Sequence, residues 1–355
     1  MEKKINSSQE KCLGCGGNLY YNPASHSLFC ENCGSEAFID DNGYIEYHDL
    51  HKKYEAKQND DFVKQNKIFK CPNCGANVIL SKYEISQKCP YCSTSLVIQN
   101  SSFSGLRPDA IIPFEFDETE ASRRFMLGIK RNFWVPNKLK KNFPENQITG
   151  IYIPSFGFDA STTSRYSGEL YNEYTETDSE GNSQTRREYF SISGIFEQQY
   201  QDIMVECSSK ITQRELVGFL PYRFEEKKPY NNAYILGYSV EQYDKAVADC
   251  EPIYKSQLDA MIRSDILRQY SFSGVSSLFV DTTRRDEKYL YHILPVYRFD
   301  YEYRNKKYVT YMNGQTGKVD KNVPKSVAKI ITISLLAVLI VLIPLIIGLI
   351  IGLGS

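Results

Sequence analysis

Eight of the ten cysteines fall into two sets with identical spacing, and this spacing constrains the fold more than any other feature of the 355-residue sequence. Each set reads C-x2-C-x14-C-x2-C. Because a two-residue gap lets one tight turn present two thiolates, two such turns can enclose one tetrahedral Zn²⁺. We therefore predict two zinc ribbons holding two structural Zn²⁺ ions. The ligands are Cys12, Cys15, Cys30 and Cys33 in the first ribbon and Cys71, Cys74, Cys89 and Cys92 in the second.

Glycine follows three of the four cysteine pairs, at Gly16, Gly34 and Gly75, where a sharp turn favours a residue without Cβ. Ser93 takes this place after the fourth pair. The alternative to zinc is four disulfides, which need an oxidising compartment. The polar residues 1–10 lack the apolar run of a secretory signal and do not favour it. A site closed by four sulfurs has no open coordination position, so we do not expect it to activate water.

Composition divides the chain into six segments. Residues 43–69 are strongly charged and predict a helix or a linker between the ribbons. Alternating runs containing many of the 27 Tyr and 19 Phe are typical of strands, so the body is expected to be β-rich and α+β. The segments are ribbon 1 at 1–42, the linker at 43–69, ribbon 2 at 70–100, the body at 101–321, a basic segment at 322–329 and an apolar segment at 330–353.

Two helices are expected to cover one face of the sheet in this body. The first, over 117–133, has an acidic start and apolar residues four apart. The second runs over about 240–267 and is expected to be interrupted at Pro252. The apolar residues of the first helix are Ala121, Phe125, Ile129 and Phe133.

A short motif recurs four times in the body: an apolar residue, a proline and then aromatic residues, typical of a strand entered through proline. It predicts two related α+β halves, at about 107–210 and 211–321. The alternative is chance recurrence in a sequence rich in Tyr and Phe. The motif occurs at 112–116, 153–158, 220–224 and 294–299.

The apolar segment 330–353 predicts a C-terminal transmembrane helix. It contains 18 Leu, Ile or Val among 24 residues and no charge. At 1.5 Å per residue it would be about 36 Å long, enough for a bilayer core of about 30 Å. A buried helix of a soluble protein is the alternative, but such helices rarely run this long without a charge. Lysines only on the N-terminal side predict a tail anchor with a cytoplasmic body. The lysines expected at the membrane surface are Lys318, Lys321, Lys325 and Lys329.

Charge and motifs argue against two classes of function. The chain has 42 Lys and Arg against 43 Asp and Glu, and residues 1–100 contain no Arg, which is unfavourable for phosphate binding. Phosphate-binding, dinucleotide-binding, zinc-protease and serine-hydrolase motifs are missing from the sequence, so no enzyme activity is predicted. Cys207 and His292 are a conceivable nucleophile–base pair, but spacing does not show that they meet.

The chain resembles a bacterial family of membrane-anchored double zinc-ribbon proteins. The resemblance rests on the paired ribbons, the Pro-aromatic strands, the stretch from Met312 to Lys318 (MNGQTGK) and the stretch from Val323 to Ser326 (VPKS) before an apolar tail. Members are often labelled transcription-factor-IIB-type, primosomal-helicase-like or phage-replication-like. Some relatives are associated with phage-shock-type and SPFH/virion-core-like proteins at stressed membranes. The resemblance alone implies an anchor or scaffold for such partners.

Two hypotheses of different classes follow. The first is a membrane-tethered adaptor that recruits cytosolic proteins to the bilayer, in keeping with an envelope stress response. The alternative is a membrane-associated protein whose ribbons bind nucleic acid. The balanced charge and the ribbon region without Arg favour the first.

Overall fold

The structure, a computed structural model, describes residues 4–5, 11–52, 66–81, 86–97, 106–141, 143, 147–177, 181, 183–320 and 322–353. The helices are α1 (Glu118–Arg131), α2 (Asn137–Lys141), α3 (Gln213–Phe219), α4 (Val247–Leu267) and α5 (Val327–Leu353), with 3-10 turns at Phe224–Glu226 and Asn232–Ile235. The strands are β1 (Lys4–Ile5), β2 (Leu19–Asn22), β3 (Ser27–Cys30), β4 (Glu36–Ile39), β5 (His48–Asp49), β6 (Asn66–Lys70), β7 (Asn77–Ser81), β8 (Ser86–Lys88), β9 (Ser95–Val97), β10 (Ala110–Ile111), β11 (Gln147–Thr177), β12 (Ser183–Glu206), β13 (Lys228–Pro229), β14 (Ser239–Glu241), β15 (Gly274–Tyr303) and β16 (Lys306–Asn313).

Ten of the described strands form one mixed sheet at the centre of the molecule, which confirms the sheet-rich α+β class. The path of the sheet is β13-β10-β15-β11-β14-β7-β6, with β12 paired to β11 and both β16 and β5 paired to β15. The long strands β12, β11, β15 and β16 are antiparallel neighbours. The short strands β10 and β14 pair in parallel with β15 and β11, respectively. Strands β6 and β7 belong to the second cysteine set, so ribbon 2 is part of this sheet.

Two parts of the body share the order short strand, helix and two antiparallel strands, as β10-α1-α2-β11-β12 and β14-α4-β15-β16, and the first has the additional short helix α2. Each short first strand pairs with the long strand of the other unit. The motifs at 153–158 and 294–299 lie in β11 and β15 and face each other, since Ile153 pairs with Leu294. The motif at 220–224 opens no strand, because a 3-10 turn follows it. A common origin of the two halves stays a prediction.

Both faces of the sheet are covered near its centre because side chains alternate along β11 and β15. Tyr152 and Phe156 lie on the face covered by α1 and α4, whereas Ile151 and Ile153 lie with α3 on the other face. Aromatic rings make close contacts across the first interface. Phe125 of α1 stacks on Phe299 of β15 with ring centroids 3.9 Å apart, and Tyr254 of α4 stacks on Phe158 at 4.5 Å.

The two predicted helices exist, with corrected ends. Asp117 caps α1 by accepting a hydrogen bond from the Glu120 N–H at 2.8 Å. Phe133 was expected on the buried face but is 57% exposed, because α1 already ends at Arg131. Helix α4 begins at Val247 rather than near 240, since Ser239–Glu241 is the strand β14, and it continues through Pro252. The predicted interruption at Pro252 is therefore wrong.

Three long strands extend beyond this core as an arm, comprising residues 160–177 of β11, 183–200 of β12 and 274–286 of β15. Strand β11 has 31 residues and is about 100 Å long at roughly 3.3 Å per residue. On one face of the arm, Leu170 and Ile192 are buried in the cluster that contains α4. On the opposite face, Ile195 and Phe279 are 64% and 74% exposed. We call this second surface the uncovered face of the arm.

Helix α5 begins in the basic segment and continues to Leu353. All its described side chains from 330 to 343 are exposed. Among the residues that the structure describes, no helix combines the length and the apolar character that a membrane crossing needs. Within the predicted span 330–353, the side chains of residues 341 and 344–353 lie outside the described set.

Candidate metal centres

The four cysteine sulfurs of each ribbon converge within 4.8 Å of one another. In the first ribbon, the Sγ atoms of Cys12 and Cys33 are 3.6 Å apart and those of Cys15 and Cys30 are 3.5 Å apart. The equivalent distances in the second ribbon are 3.5 and 3.6 Å. Four sulfurs bound at about 2.3 Å to a tetrahedral Zn²⁺ would lie about 3.8 Å apart, whereas a disulfide needs about 2.05 Å. Both groups can therefore hold a metal ion, and all ten cysteines are free.

All four cysteine pairs use the same tight turn. The carbonyl of the first cysteine accepts a hydrogen bond from the N–H of the fourth residue after it, at 2.8 or 2.9 Å. The donor residue is left-handed each time, with φ of 73°, 72° and 75° at Gly16, Gly34 and Gly75 and 58° at Ser93. Glycine is favoured after three pairs because of this positive φ, as predicted, and Ser93 adopts the same conformation.

Backbone and side-chain donors point at the sulfurs of the first set. The Gly14 N–H donates to Cys12 Sγ at 3.4 Å, and Asn32 Nδ2 donates to Cys15 Sγ at 3.4 Å. Backbone hydrogen bonds from Cys15 and Gly14 lower the pKa of Cys12. A backbone hydrogen bond from Gly17, followed by the Asn32 amide, lowers the pKa of Cys15. Both effects favour the thiolate, which is the form that binds metal.

Ribbon 1 is docked on the body through Tyr21, a contact that the sequence did not reveal. The Tyr21 hydroxyl donates to the carbonyl oxygen of Phe114 at 3.2 Å, and the backbone N–H of Tyr21 donates to the carbonyl oxygen of Leu236 at 3.0 Å. Its ring meets the edge of Tyr234 at a centroid distance of 5.3 Å. The Tyr234 hydroxyl in turn contacts the carboxylate of Asp41 at 2.7 and 2.8 Å.

Ribbon 2 is docked through the edge of the sheet and through Tyr91. Strand β7 pairs with β14 of the body, and the Tyr91 hydroxyl donates to Glu241 Oε2. Ser208 Oγ donates to the other carboxylate oxygen of Glu241 at 2.5 Å, while Lys210 donates to the carbonyl of Cys74. Burial outweighs these hydrogen bonds to the carboxylate and raises the pKa of Glu241 to about 7.

The predicted linker also touches the body where it is described. His48 lies in β5, which pairs with β15, and its Nε2 is 2.8 Å from the Asp109 carboxylate. His51 Nε2 is 3.0 Å from Glu287 Oε2. The side chain of His48 is only 12% exposed. Residues 53–65 lie outside the described residues, and residues 66–69 of the predicted linker are part of strand β6.

Cys207 and His292 are both completely buried. Burial raises the pKa of the Cys207 thiol well above its ordinary range. Burial, with a smaller effect of Lys227, lowers the pKa of His292 to about 3. At neutral pH the thiol is therefore protonated and the imidazole is a weak base, an unfavourable pairing for nucleophilic catalysis.

The four lysines predicted at the membrane surface have different surroundings. Lys318 donates to the carbonyl of Leu220, and Lys325 is exposed. Lys329 Nζ donates to the carbonyls of Phe133 and Val135 in the loop after α1 and to Asn137 Oδ1 of α2, at 2.8 to 3.0 Å. Lys321 lies outside the described residues.

A scan of known protein families found no match, and a search of solved structures likewise found none. The chain is similar to the uncharacterised protein YdjG of Bacillus subtilis (strain 168), with 28% identity over 325 residues. The alignment covers 90% of this chain and 91% of that protein. The likeness therefore extends over most of both chains.

Proposed function

We propose that the chain is a membrane-tethered zinc-ribbon scaffold that recruits cytosolic protein partners to the bilayer. The uncovered face of the arm carries this proposal. Ile195 and Phe279 are large apolar side chains that stay 64% and 74% exposed on the long strands of the arm. Ile195 pairs with Arg165 of β11, and Phe279 pairs with Ser167 of the same strand. Paired residues point to the same face of a sheet, and Arg165 and Ser167 are two residues apart, so both apolar side chains lie on the face opposite α4. Large apolar side chains exposed on one face of a sheet are typical of a protein-binding surface.

The tether in this proposal is the segment 330–353. A helix that is apolar all round has no polar face to turn to water, and such helices are buried or lie in a bilayer. The described part of α5 supports the second case, because Ile331, Leu335 and Ile340 are 53%, 59% and 70% exposed. The lysines before the span keep the body in the cytoplasm by the positive-inside rule.

We propose Zn²⁺ as the ion of both four-cysteine groups. Four thiolates in a closed tetrahedral set are typical of structural zinc. Elemental analysis of freshly reduced protein should find two zinc ions per chain. A content below about one ion per chain would contradict the assignment.

Membrane attachment is tested by fractionating cells that produce the full chain or a chain lacking 330–353. The full chain should remain with the membranes after alkaline extraction, and the shortened chain should be released. Protease added outside intact cells should leave residues 1–325 uncut. Release of the full chain by alkali would overturn the tether.

Partner binding is tested by placing a photoactivatable amino acid at Phe279 or at Ile195, with Tyr44 as the control position. Tyr44 is 81% exposed but lies outside the arm. The two arm positions should cross-link to the same protein and the control should not. Equal labelling at all three positions would count against the arm as the recruiting surface.

Salt-dependent binding of DNA or RNA would support the nucleic-acid hypothesis instead.

A further inference from the structure

Two large aromatic side chains project from the loop between α1 and α2. Phe133 and Trp134 are 57% and 41% exposed, and Trp134 is the single tryptophan of the chain. Their rings meet edge to face with centroids 5.4 Å apart. We call this pair the aromatic patch. Large exposed apolar groups are unfavourable in water, so a patch of this kind is typical of a contact site.

The backbone holds the aromatic patch in a fixed position. Asn132 Oδ1 accepts a hydrogen bond from the Trp134 N–H at 3.0 Å, which closes a tight turn. Val135 and Leu139, the next apolar residues, are completely buried. Because the side chains of Val135 and Leu139 are held in the core, the loop cannot easily turn its two aromatic rings inwards.

The same loop is bonded to the beginning of α5. The Ser326 N–H donates to the Trp134 carbonyl at 2.7 Å. Lys329 Nζ donates to the carbonyls of Phe133 and Val135 at 2.8 and 3.0 Å, and its ammonium lies 5.0 Å from the Phe133 ring centroid. Lys329 directly precedes Ile330, where the apolar segment begins. The aromatic patch therefore lies level with the start of that segment.

The surroundings of the aromatic patch are basic. Residues 130–141 contain five basic side chains and no acidic one. Four of the five are exposed, and the fifth, Lys140, is half-buried and donates to the Lys130 carbonyl at 2.9 Å. A basic, aromatic surface complements a bilayer with anionic headgroups, because Trp favours the headgroup region and lysines are attracted to negative lipids. The five are Lys130, Arg131, Lys138, Lys140 and Lys141.

We propose that the aromatic patch and helix α2 form a second membrane contact, in which both rings enter the headgroup region of an anionic phospholipid bilayer. The inference rests on the proposed tether, since α5 brings the loop to the bilayer. With two contacts, the helix and the loop, the body is held in one orientation instead of swinging about α5. The arm then points in a fixed direction from the membrane.

The single tryptophan makes this testable in the full chain. The protein is reconstituted into phosphatidylcholine vesicles with and without phosphatidylglycerol, and Trp134 fluorescence is recorded. With phosphatidylglycerol we expect emission at shorter wavelength, loss of most of the emission to lipids brominated near the headgroup and little quenching by aqueous iodide. Without phosphatidylglycerol, quenching by brominated lipid should be weaker.

Two variants and a control separate lipid contact from a structural role. The double variant Lys138→Gln/Lys141→Gln changes two exposed side chains. In this variant, quenching of Trp134 by brominated lipid should no longer depend on phosphatidylglycerol. In Phe133→Ser, quenching of Trp134 by iodide should rise. Phe279→Ser removes a ring of the arm that is even more exposed than Phe133, and it should change neither the phosphatidylglycerol dependence nor the iodide quenching of Trp134. Zinc content and circular dichroism should be the same in all of them.

The outcomes distinguish this inference from the proposed tether. If the chain resists alkaline extraction but Trp134 is quenched by iodide and not by brominated lipid, the second contact is overturned and the tether stands. If Trp134 is shielded from both quenchers, a protein surface covers it and the lipid assignment is overturned. If alkali releases the full chain from the vesicles, both proposals are overturned together.

Discussion

At the residue scale, the left-handed position after each cysteine pair determines how well the sulfurs converge. Gly16 has φ of 73°, and a Cβ added there would meet nothing within 4 Å. Backbone strain is therefore the main cost of Gly16→Ala, about 1 kcal/mol, which corresponds to about fivefold weaker metal binding by ribbon 1. Competition with a chromogenic chelator measures this change. Gly14→Ala is the control, because Gly14 lacks a positive φ and its Cβ would make an ordinary 3.7 Å contact. Equal weakening by both substitutions would contradict the argument.

Glu241 links stability to pH at the interface of ribbon 2. Burial raises its pKa to about 7; Tyr91 and Ser208 donate to it, and Asp244 and Lys210 are the other charged neighbours. Since the folded pKa lies above the usual value, the folded state binds a proton more tightly than the unfolded state. This stabilising contribution is complete below about pH 4.5 and is lost as the pH rises to about 7.

Glu241→Gln should remove that dependence. Between pH 6 and pH 8 the unchanged protein should lose about 1 kcal/mol of unfolding free energy relative to the variant. Urea unfolding in detergent at several pH values measures the difference. Glu225→Gln, at an exposed position, removes one charge without removing a buried carboxylate and serves as the control. If the unfolding free energies of Glu241→Gln and the unchanged protein changed in parallel with pH, the Glu241 carboxylate would not titrate in this range.

At the element scale, ribbon 2 is continuous with the sheet of the body because β7 pairs with β14. Cys71→Ser removes one ligand and should unfold the ribbon. The loss should spread to β14, whose Val240 and Glu241 pair with Ile79 and Val78, whereas the long β11–β15 ladder stays formed.

Hydrogen exchange measures this local effect. Peptides that cover 239–241 should exchange faster in Cys71→Ser, and those from the middle of β11 should not. Cys12→Ser, which removes the equivalent ligand of ribbon 1, should leave 239–241 protected. Uniform acceleration throughout the body would mean that ribbon 2 stabilises the whole sheet.

At the scale of the whole molecule, the core should be stable without the tip of the arm. Residues 173–177 and 183–187 are exposed, and α4 contributes no buried residue beyond Ile266. Replacing 173–187 by Asn-Gly would join Asn172 and Glu188, which already pair, through a two-residue hairpin loop. The unfolding temperature should change by less than about 2 °C.

A longer deletion is the matched control. Replacing 166–194 by Asn-Gly joins another paired set, Arg165 and Ile195, but removes Leu170 and Ile192 from the buried cluster. This variant should be destabilised by several kcal/mol. Comparable losses in both variants would mean that the exposed tip contributes to the folded core.

The features that the sequence determined by itself depend on short-range spacing. The two cysteine sets converge as predicted because each pair is built within one tight turn, and α1 buries Ala121, Phe125 and Ile129 because they recur every fourth residue. The glycines after the pairs follow from local backbone geometry. These rules act over a few residues and need no knowledge of the rest of the chain.

Tertiary structure decided how these units meet. Tyr21 contacts Phe114 across 93 residues of sequence, Tyr91 contacts Glu241 across 150, and Lys329 contacts Val135 across 194. No periodicity relates residues so far apart, so the docked ribbons and the aromatic loop beside α5 were not predicted. Phe133 shows the physical reason: its spacing continued the apolar face of α1, but the helix ended at Arg131 and left the ring exposed. Where a helix ends, and what its last side chain meets, depends on contacts that only the folded chain provides.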